Sequence, residues 1–189
     1  MGVIADLKDL ISDLLSLGSK VPREGRQDIR DAVGELADEL ERAINLAIAY
    51  VVKAKAIRDK PKLVDHLRNA RPELLRECKE YDICKGLYGL EDRFRRTFDP
   101  VRHTVEIGEL NSIISLISDL RVGERSVIDD LHDMIRSLEG FADNIERSMP
   151  HELPGMLERL EVNLDHEQQS LEQKRQDVKR MLRRVIDEM

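Results

Sequence analysis

The sequence lacks tryptophan, and only 3% of its residues are aromatic. Threonine is almost absent as well, since Thr97 and Thr104 are its two instances. Strands favour aromatic and β-branched side chains, and no segment of the chain alternates apolar and polar residues as a half-buried strand does. These deficits exclude a sheet as the main architecture.

Cysteine is also scarce, with Cys78 and Cys84 the two in the chain. A small secreted domain that depends on disulfides has more pairs, and no signal peptide is recognisable, so we expect a cytoplasmic protein. No apolar run approaches the roughly eighteen residues of a membrane-spanning helix. The chain also has no glycine-rich phosphate loop and no Gly-x-Ser-x-Gly elbow, two common signatures of enzymes.

Helix-forming residues are what the chain has in abundance. Ala, Glu, Lys, Leu and Arg together make up 85 of its 189 residues, close to the half that is typical of long helices. A chain of this length can bury one sizeable core, which predicts a single domain over residues 1–189. The net charge of −7 argues against nucleic acid as a partner, because phosphate contacts need clustered Lys and Arg.

Apolar residues recur every three or four positions along most of the chain, which predicts helices with one apolar face. The predicted segments are Val3–Leu17, Glu24–Asp59, Pro61–Phe98, Thr104–Met149 and Glu152–Glu188. Asp59 suits the N-cap of the third segment and Pro61 its first turn. Pro72 is expected to kink that helix, because proline removes a backbone donor.

The fourth segment has one ambiguous position, Gly123. Ser126 and Asp129 form a capping-box pattern just after it, so two helices joined in a tight hairpin at Gly123 are one interpretation. Against a hairpin, the apolar phase passes through Gly123 unbroken, and one long helix matches the length of the others. We favour a continuous or kinked helix.

Short connections between long helices force antiparallel neighbours. The predicted fold is therefore all-α: an antiparallel, up-down bundle of four long helices with a short N-terminal amphipathic helix and an alternative break at Gly123. The stretch from Ala43 to Val52 is apolar on nearly all sides. We expect it at the centre of the core, with the first helix covering its extra face.

Charge is distributed unevenly, with a balance of −10 over residues 103–170 and +2 over residues 171–189. Antiparallel pairing of the last two helices predicts that the basic tail lies beside the acidic fourth helix. The basic residues are Lys174, Arg175, Lys179, Arg180, Arg183 and Arg184, and the acids are Asp119, Glu124, Asp129, Asp130 and Asp133.

No residue pattern points to a metal, a cofactor or catalysis, so no catalytic, cofactor-binding or metal-ligating residue is predicted. The histidines are His66, His103, His132, His151 and His166. A di-iron bundle needs two Glu-x-x-His pairs, whereas this chain offers one related pair, Asp129 with His132. We expect the histidines to face solvent. Neither cysteine has a histidine within a helical turn, and we predict that the protein is not an enzyme.

A basic cluster interleaved with aromatic residues superficially suggests a nucleic-acid surface. It consists of Arg93, Arg95, Arg96 and Arg102, with Phe94 and Phe98 between them. Helical spacing gives a simpler interpretation, in which both phenylalanines face inward and the arginines face water.

Function is therefore expected to come from helix faces, through binding of a protein partner or self-association. Glu167 and Lys174 interrupt the apolar stripe of the last helix, which makes that helix the first place to look for a partner. The alternative is a membrane-acting effector. The plan of the chain resembles the four-helix cell-death executioner domains in architecture only, with a short amphipathic first helix and a trailing helix. Acidic residues on the polar face of that first helix argue against membrane contact.

Overall fold

The computed structural model of the protein describes residues 9–16, 23–74, 95, 107–122 and 127–188. Helix accounts for 93% of these residues, and none of them lies in a strand. The all-α class predicted from the sequence is therefore confirmed. The predictions made for Cys78, Cys84 and His103 lie outside the described residues.

The helices of the described residues follow the predicted segments closely. They are α1 (helical over residues 9–16), α2 (Arg23–Ala56), α3 (Lys60–Arg68), α4 (residues 70–74), α5 (Ile107–Val122), α6 (Val127–Arg147) and α7 (Leu153–Glu188). The bounds of α2 and α7 agree with the prediction to within three residues. Residues 123–126, which include Gly123, separate α5 from α6 and lie outside the described part of the chain.

The start of α3 is fixed by its capping residue. One carboxylate oxygen of Asp59 accepts a hydrogen bond from the backbone N–H of Lys62 at 3.0 Å, and Pro61 occupies the first turn. Both predictions for this helix start are confirmed. The helix is interrupted at Asn69 and resumes at residue 70, because Pro72 has no N–H to donate to the carbonyl of Arg68.

Helices α2 and α7 run antiparallel and make the most extensive helix pair among the described residues. The Nζ of Lys179 lies 2.6 Å from a carboxylate oxygen of Glu41, and that of Lys55 lies 2.5 Å from one of Asp165. Residue numbers thus rise along α2 as they fall along α7, which defines the antiparallel register.

The acidic helix α6 pairs with α3 and α4. Arg68 forms ion pairs with Asp143 and Glu146, and both guanidinium bonds of Arg71 to Glu139 measure 3.0 Å. These pairs also run antiparallel, since the higher-numbered arginine meets the lower-numbered acid. Three acids of residues 103–170 are therefore paired with arginines of the third predicted segment.

The contacts of the described residues contradict the prediction that the basic tail lies beside the acidic fourth helix. Arg175 and Lys179 contact α2 instead, and Arg180 and Arg184 pair with carboxylates of α7 itself. Asp133 pairs within α6. The physical reason is register, because the carboxyl-terminal half of α7 lies against the amino-terminal half of α2. The side chains of the remaining acids, Asp119, Glu124, Asp129 and Asp130, lie outside the described part.

The apolar side chains form two cores, one after the other along α2 and α7. The first core contains Leu10, Ile11, Leu14, Val33, Leu40, Leu110, Ile113, Ile114, Ile117, Val178, Leu182 and Val185. The second core contains Ala47, Tyr50, Val51, Ala54, Leu63, Val64, Leu67, Ala70, Leu74, Met134, Ile135, Leu138, Ala142, Ile145, Leu160 and Leu164. Helix α5 belongs to the first core and α6 to the second. The choice between a continuous helix and a hairpin at Gly123 depends on residues outside the described part of the chain.

The interval between the two cores coincides with the polar interruption seen in the sequence of α7. No residue between Leu164 and Val178 is buried, and Glu167, Leu171 and Lys174 are half-buried. The interrupted stripe is thus a real feature of the packing. It divides one apolar face into two shorter ones.

The expectation for the stretch from Ala43 to Val52 is wrong in part. Ala47, Tyr50 and Val51 are buried in the second core, but Val52 is 46% exposed. In the first core the buried residues of the first helix pack with Val33 and Leu40, and Ile44 of this stretch packs against the same core. Among the described residues of α2, Ala49, Val52 and Ala56 are exposed.

Candidate interaction surface

A cleft opens where the end of α2 and the start of α3 meet the amino-terminal half of α7. Its volume is about 90 Å³. The apolar lining consists of Ala54, Ile57, Leu63, Leu157, Leu160 and Leu164, and the charged lining consists of Lys55, Arg58, Lys60 and Glu161. The bases lie on the wall formed by α2, α3 and the connection between them, and the acid lies on the wall formed by α7.

The size of the cleft limits what it can hold. Pockets for metabolites and cofactors typically measure about 300–1,000 Å³. At about 90 Å³, the cleft is small for such a ligand, and a side chain is the better match in size.

One charged residue of the lining is held by neighbours from α7. The Nζ of Lys55 pairs with Asp165 at 2.5 Å and donates a hydrogen bond to the side-chain oxygen of Gln168 at 3.0 Å. This arrangement joins the two walls of the cleft at one end. Lys55 is consequently a structural residue of the site.

The remaining charges are available to a partner. Arg58 and Glu161 are exposed and Lys60 is half-buried, and none of them forms an ion pair within the part of the chain that the structure describes. The wall formed by α2 and α3 thus offers positive charge to solvent, and the wall formed by α7 offers negative charge. Opposite charges on a partner would be attracted to both walls.

An exposed apolar side chain lies directly beside the cleft in the sequence of α7. Val162 follows Glu161 and is 65% exposed. Glu158, one helical turn before it, is also exposed. The surface of α7 therefore presents a branched aliphatic side chain flanked by two carboxylates and by the exposed guanidinium of Arg159.

His66 is the one described histidine that is buried, so the expectation that it faces solvent is wrong. It is 5% exposed, and its ring stacks on Tyr50 with the ring centroids 4.1 Å apart. Its Nε2 lies 3.3 Å from the backbone oxygen of Tyr50, and the Tyr50 hydroxyl donates to the backbone oxygen of His66. Burial lowers the pKa of His66 and raises that of Tyr50. The pair is enclosed in the second core, and we assign it a structural role.

The other predicted candidates do not converge on a common site. His132 is half-buried, and His151 and His166 are exposed. Within the described ranges, no group of three or more His, Cys, Asp and Glu side chains is arranged to hold a metal ion. Of the basic cluster, Arg95 is described and is exposed, while Arg93, Arg96 and Arg102 lie outside.

The sequence did not single out the residues of the cleft. A signal was present, because five bases occupy the ten positions from Lys53 to Lys62 in an acidic chain. Val162 gave a second signal, since it lies outside the stripe formed by Leu160 and Leu164. Neither signal indicates that the two segments meet, which depends on the register of α2 against α7.

Comparison of the chain with protein-family models, with curated proteins and with solved structures gave no match. Among the helices that the structure describes, none is both long and apolar enough to cross a membrane.

Proposed function

We propose that this protein acts by binding a protein partner or another copy of itself through a helix surface, and that it catalyses no reaction. The observation that carries the proposal is the cleft bounded by α2, α3 and α7. Its lining is largely apolar, and its walls carry three charges, at Arg58, Lys60 and Glu161, that have no ion pair among the described residues. Such a combination is typical of an interface anchor point.

Exposed apolar residues on one side of α2 add to this proposal. Ala49, Val52 and Ala56 follow one another at spacings of three and four residues, and all three are exposed. Exposed apolar residues that share one helix face often mark an interaction surface. The proposed interface thus extends beyond the cleft itself.

The proposal includes the architecture that would present this surface. The two antiparallel pairs, α2 with α7 and α3 with α6, support an up-down bundle of four long helical segments in a single domain over residues 1–189. A cytoplasmic location remains part of the same proposal. It rests on the scarcity of cysteine.

Site-specific photo-crosslinking in cells of the native host tests the proposed function. A small aliphatic diazirine amino acid replaces Val162 or Val52, and the same amino acid at Arg183, on the far end of α7, serves as the control. We expect protein adducts, either of a partner or of a second copy, from the first two positions in excess of the third. Equal labelling at all three positions would contradict the proposal.

The membrane-acting alternative makes a separate prediction. It requires the apolar face of α1 to leave the protein, yet Leu10, Ile11 and Leu14 are each at most 3% exposed in the first core. Leakage of anionic liposomes caused by the full-length protein, and lost on Ile11→Asp substitution, would favour that alternative over protein binding.

A further inference from the structure

We propose that the occupant of the cleft is Val162 of a second copy of this chain, in a symmetric dimer in which each copy inserts into the other. This inference rests on the proposed function, which it makes specific. Val162 and the cleft lie close together on one chain, because Glu161 lines the cleft and Val162 is the next residue.

The shape of the exposed residue suits the space. Val162 is a branched aliphatic side chain that is 65% exposed, although α7 has buried apolar positions on either side of it at Leu160 and Leu164. The cleft offers about 90 Å³ with an apolar lining from α2, α3 and α7. Insertion would therefore cover Val162 and the part of the apolar lining that is not already buried, at Ile57 and Leu157.

The charges agree with the same occupant. Val162 is flanked by Glu158, Arg159 and Glu161, which together are negative, whereas the opposite wall of the cleft carries Arg58 and Lys60. When Val162 of one copy enters the cleft of the other, its flanking carboxylates approach those bases. Arg58, Lys60, Glu158 and Glu161 are without an ion pair among the residues that the structure describes, so no bond among those residues has to break.

Two-fold symmetry lets one contact occur twice. In a symmetric dimer, if residue i of the first copy contacts residue j of the second, then residue j of the first copy contacts residue i of the second. Arg58 of each copy would therefore meet Glu161 of the other. Because both contacts are small and the ion pairs are exposed, we expect a weak, salt-sensitive dimer.

The experiment is a charge exchange followed by sedimentation equilibrium. Arg58→Glu and Glu161→Arg are made separately, and each variant is measured alone and in an equimolar mixture, from micromolar to millimolar concentration. Arg58→Glu alone brings acid against acid at both contacts, and Glu161→Arg alone brings base against base. In the mixture, each contact again joins a base to an acid, so only the mixed dimer is free of repulsion.

The expected result is a concentration-dependent dimer for the unmodified protein, monomers for each variant alone, and a dimer for the mixture. Val162→Ala should weaken the dimer about tenfold or more, because each copy loses two carbon atoms from an apolar contact. The matched controls are Arg183→Glu and Asp187→Arg, two exposed positions about 33 Å or more along α7 from Glu161 at 1.5 Å per residue. Both controls should dimerise like the unmodified protein, and circular dichroism should show that every variant is folded.

Three outcomes would overturn the inference. The unmodified protein remains monomeric at millimolar concentration, or the charge variants dimerise on their own, or their mixture stays monomeric while the unmodified protein dimerises. If photo-crosslinking at Val162 nevertheless captures a different protein, the proposed function stands and the self-association is wrong. If neither a second copy nor another protein is captured, both fail.

Discussion

The hydroxyl of Tyr50 offers a quantitative test of the packing between α2 and α3. Because α3 ends at Arg68, the carbonyl of His66 is among the last four of the helix, which lack partners within it. The Tyr50 hydroxyl donates to this carbonyl inside the second core. Burial raises the pKa of Tyr50, so the hydroxyl keeps its proton. Tyr50→Phe retains the ring but leaves a buried acceptor without a donor.

We expect Tyr50→Phe to lower the free energy of unfolding by about 1–3 kcal/mol, the cost of leaving a buried polar group unsatisfied. For a chain of this length, each kcal/mol lowers the melting temperature by about 2–4 °C. Urea denaturation followed by helical circular dichroism measures the difference. A Tyr50→Phe variant as stable as the unmodified protein would refute the reasoning.

Three further predictions concern the fold. Burial holds the folded-state pKa of His66 below its ordinary 6.5, so the unfolded state binds the proton more readily. The free energy of unfolding should therefore fall as pH decreases below about 6.5. His66→Phe should flatten that part of the stability profile. Asp59→Ala should cost about 1 kcal/mol in urea denaturation and speed hydrogen exchange of the Lys62 amide, which loses its acceptor. Leu164→Ala and Leu182→Ala should each lower the free energy of unfolding by about 2–5 kcal/mol. Hydrogen exchange should rise mainly in α3 and α6 for Leu164→Ala, and mainly in α1 and α5 for Leu182→Ala. Equal changes throughout would contradict the division into two cores.

Local chemistry explains which parts of the fold could be predicted from the sequence. The helix start at Asp59 and Pro61 depends on neighbours within one turn, and the interruption before Pro72 depends on a missing donor, so both are visible in a short stretch of sequence. The apolar stripes likewise predicted the buried faces of α2 and α7.

Register between helices explains what the sequence could not provide. The partner of Lys179 is Glu41, more than one hundred residues away, and no periodicity within α7 distinguishes α2 from α6 as its neighbour. The burial of His66 has the same origin, because the space beside Tyr50 exists only after α3 folds back on α2. The cleft was missed for this reason too, since its two walls come from segments about one hundred residues apart.

The most direct test of the central claim is an intermolecular nuclear Overhauser measurement on a mixed sample. Half of the protein carries ¹³C-labelled valine methyl groups, and the other half is unlabelled at valine but carries protonated leucine methyl groups in a deuterated background. The account predicts intermolecular cross-peaks from the Val162 methyls to the methyls of Leu157, Leu160 and Leu164, all of which line the cleft. A dimer whose intermolecular cross-peaks arise elsewhere, or the absence of any from Val162 at millimolar concentration, would contradict it.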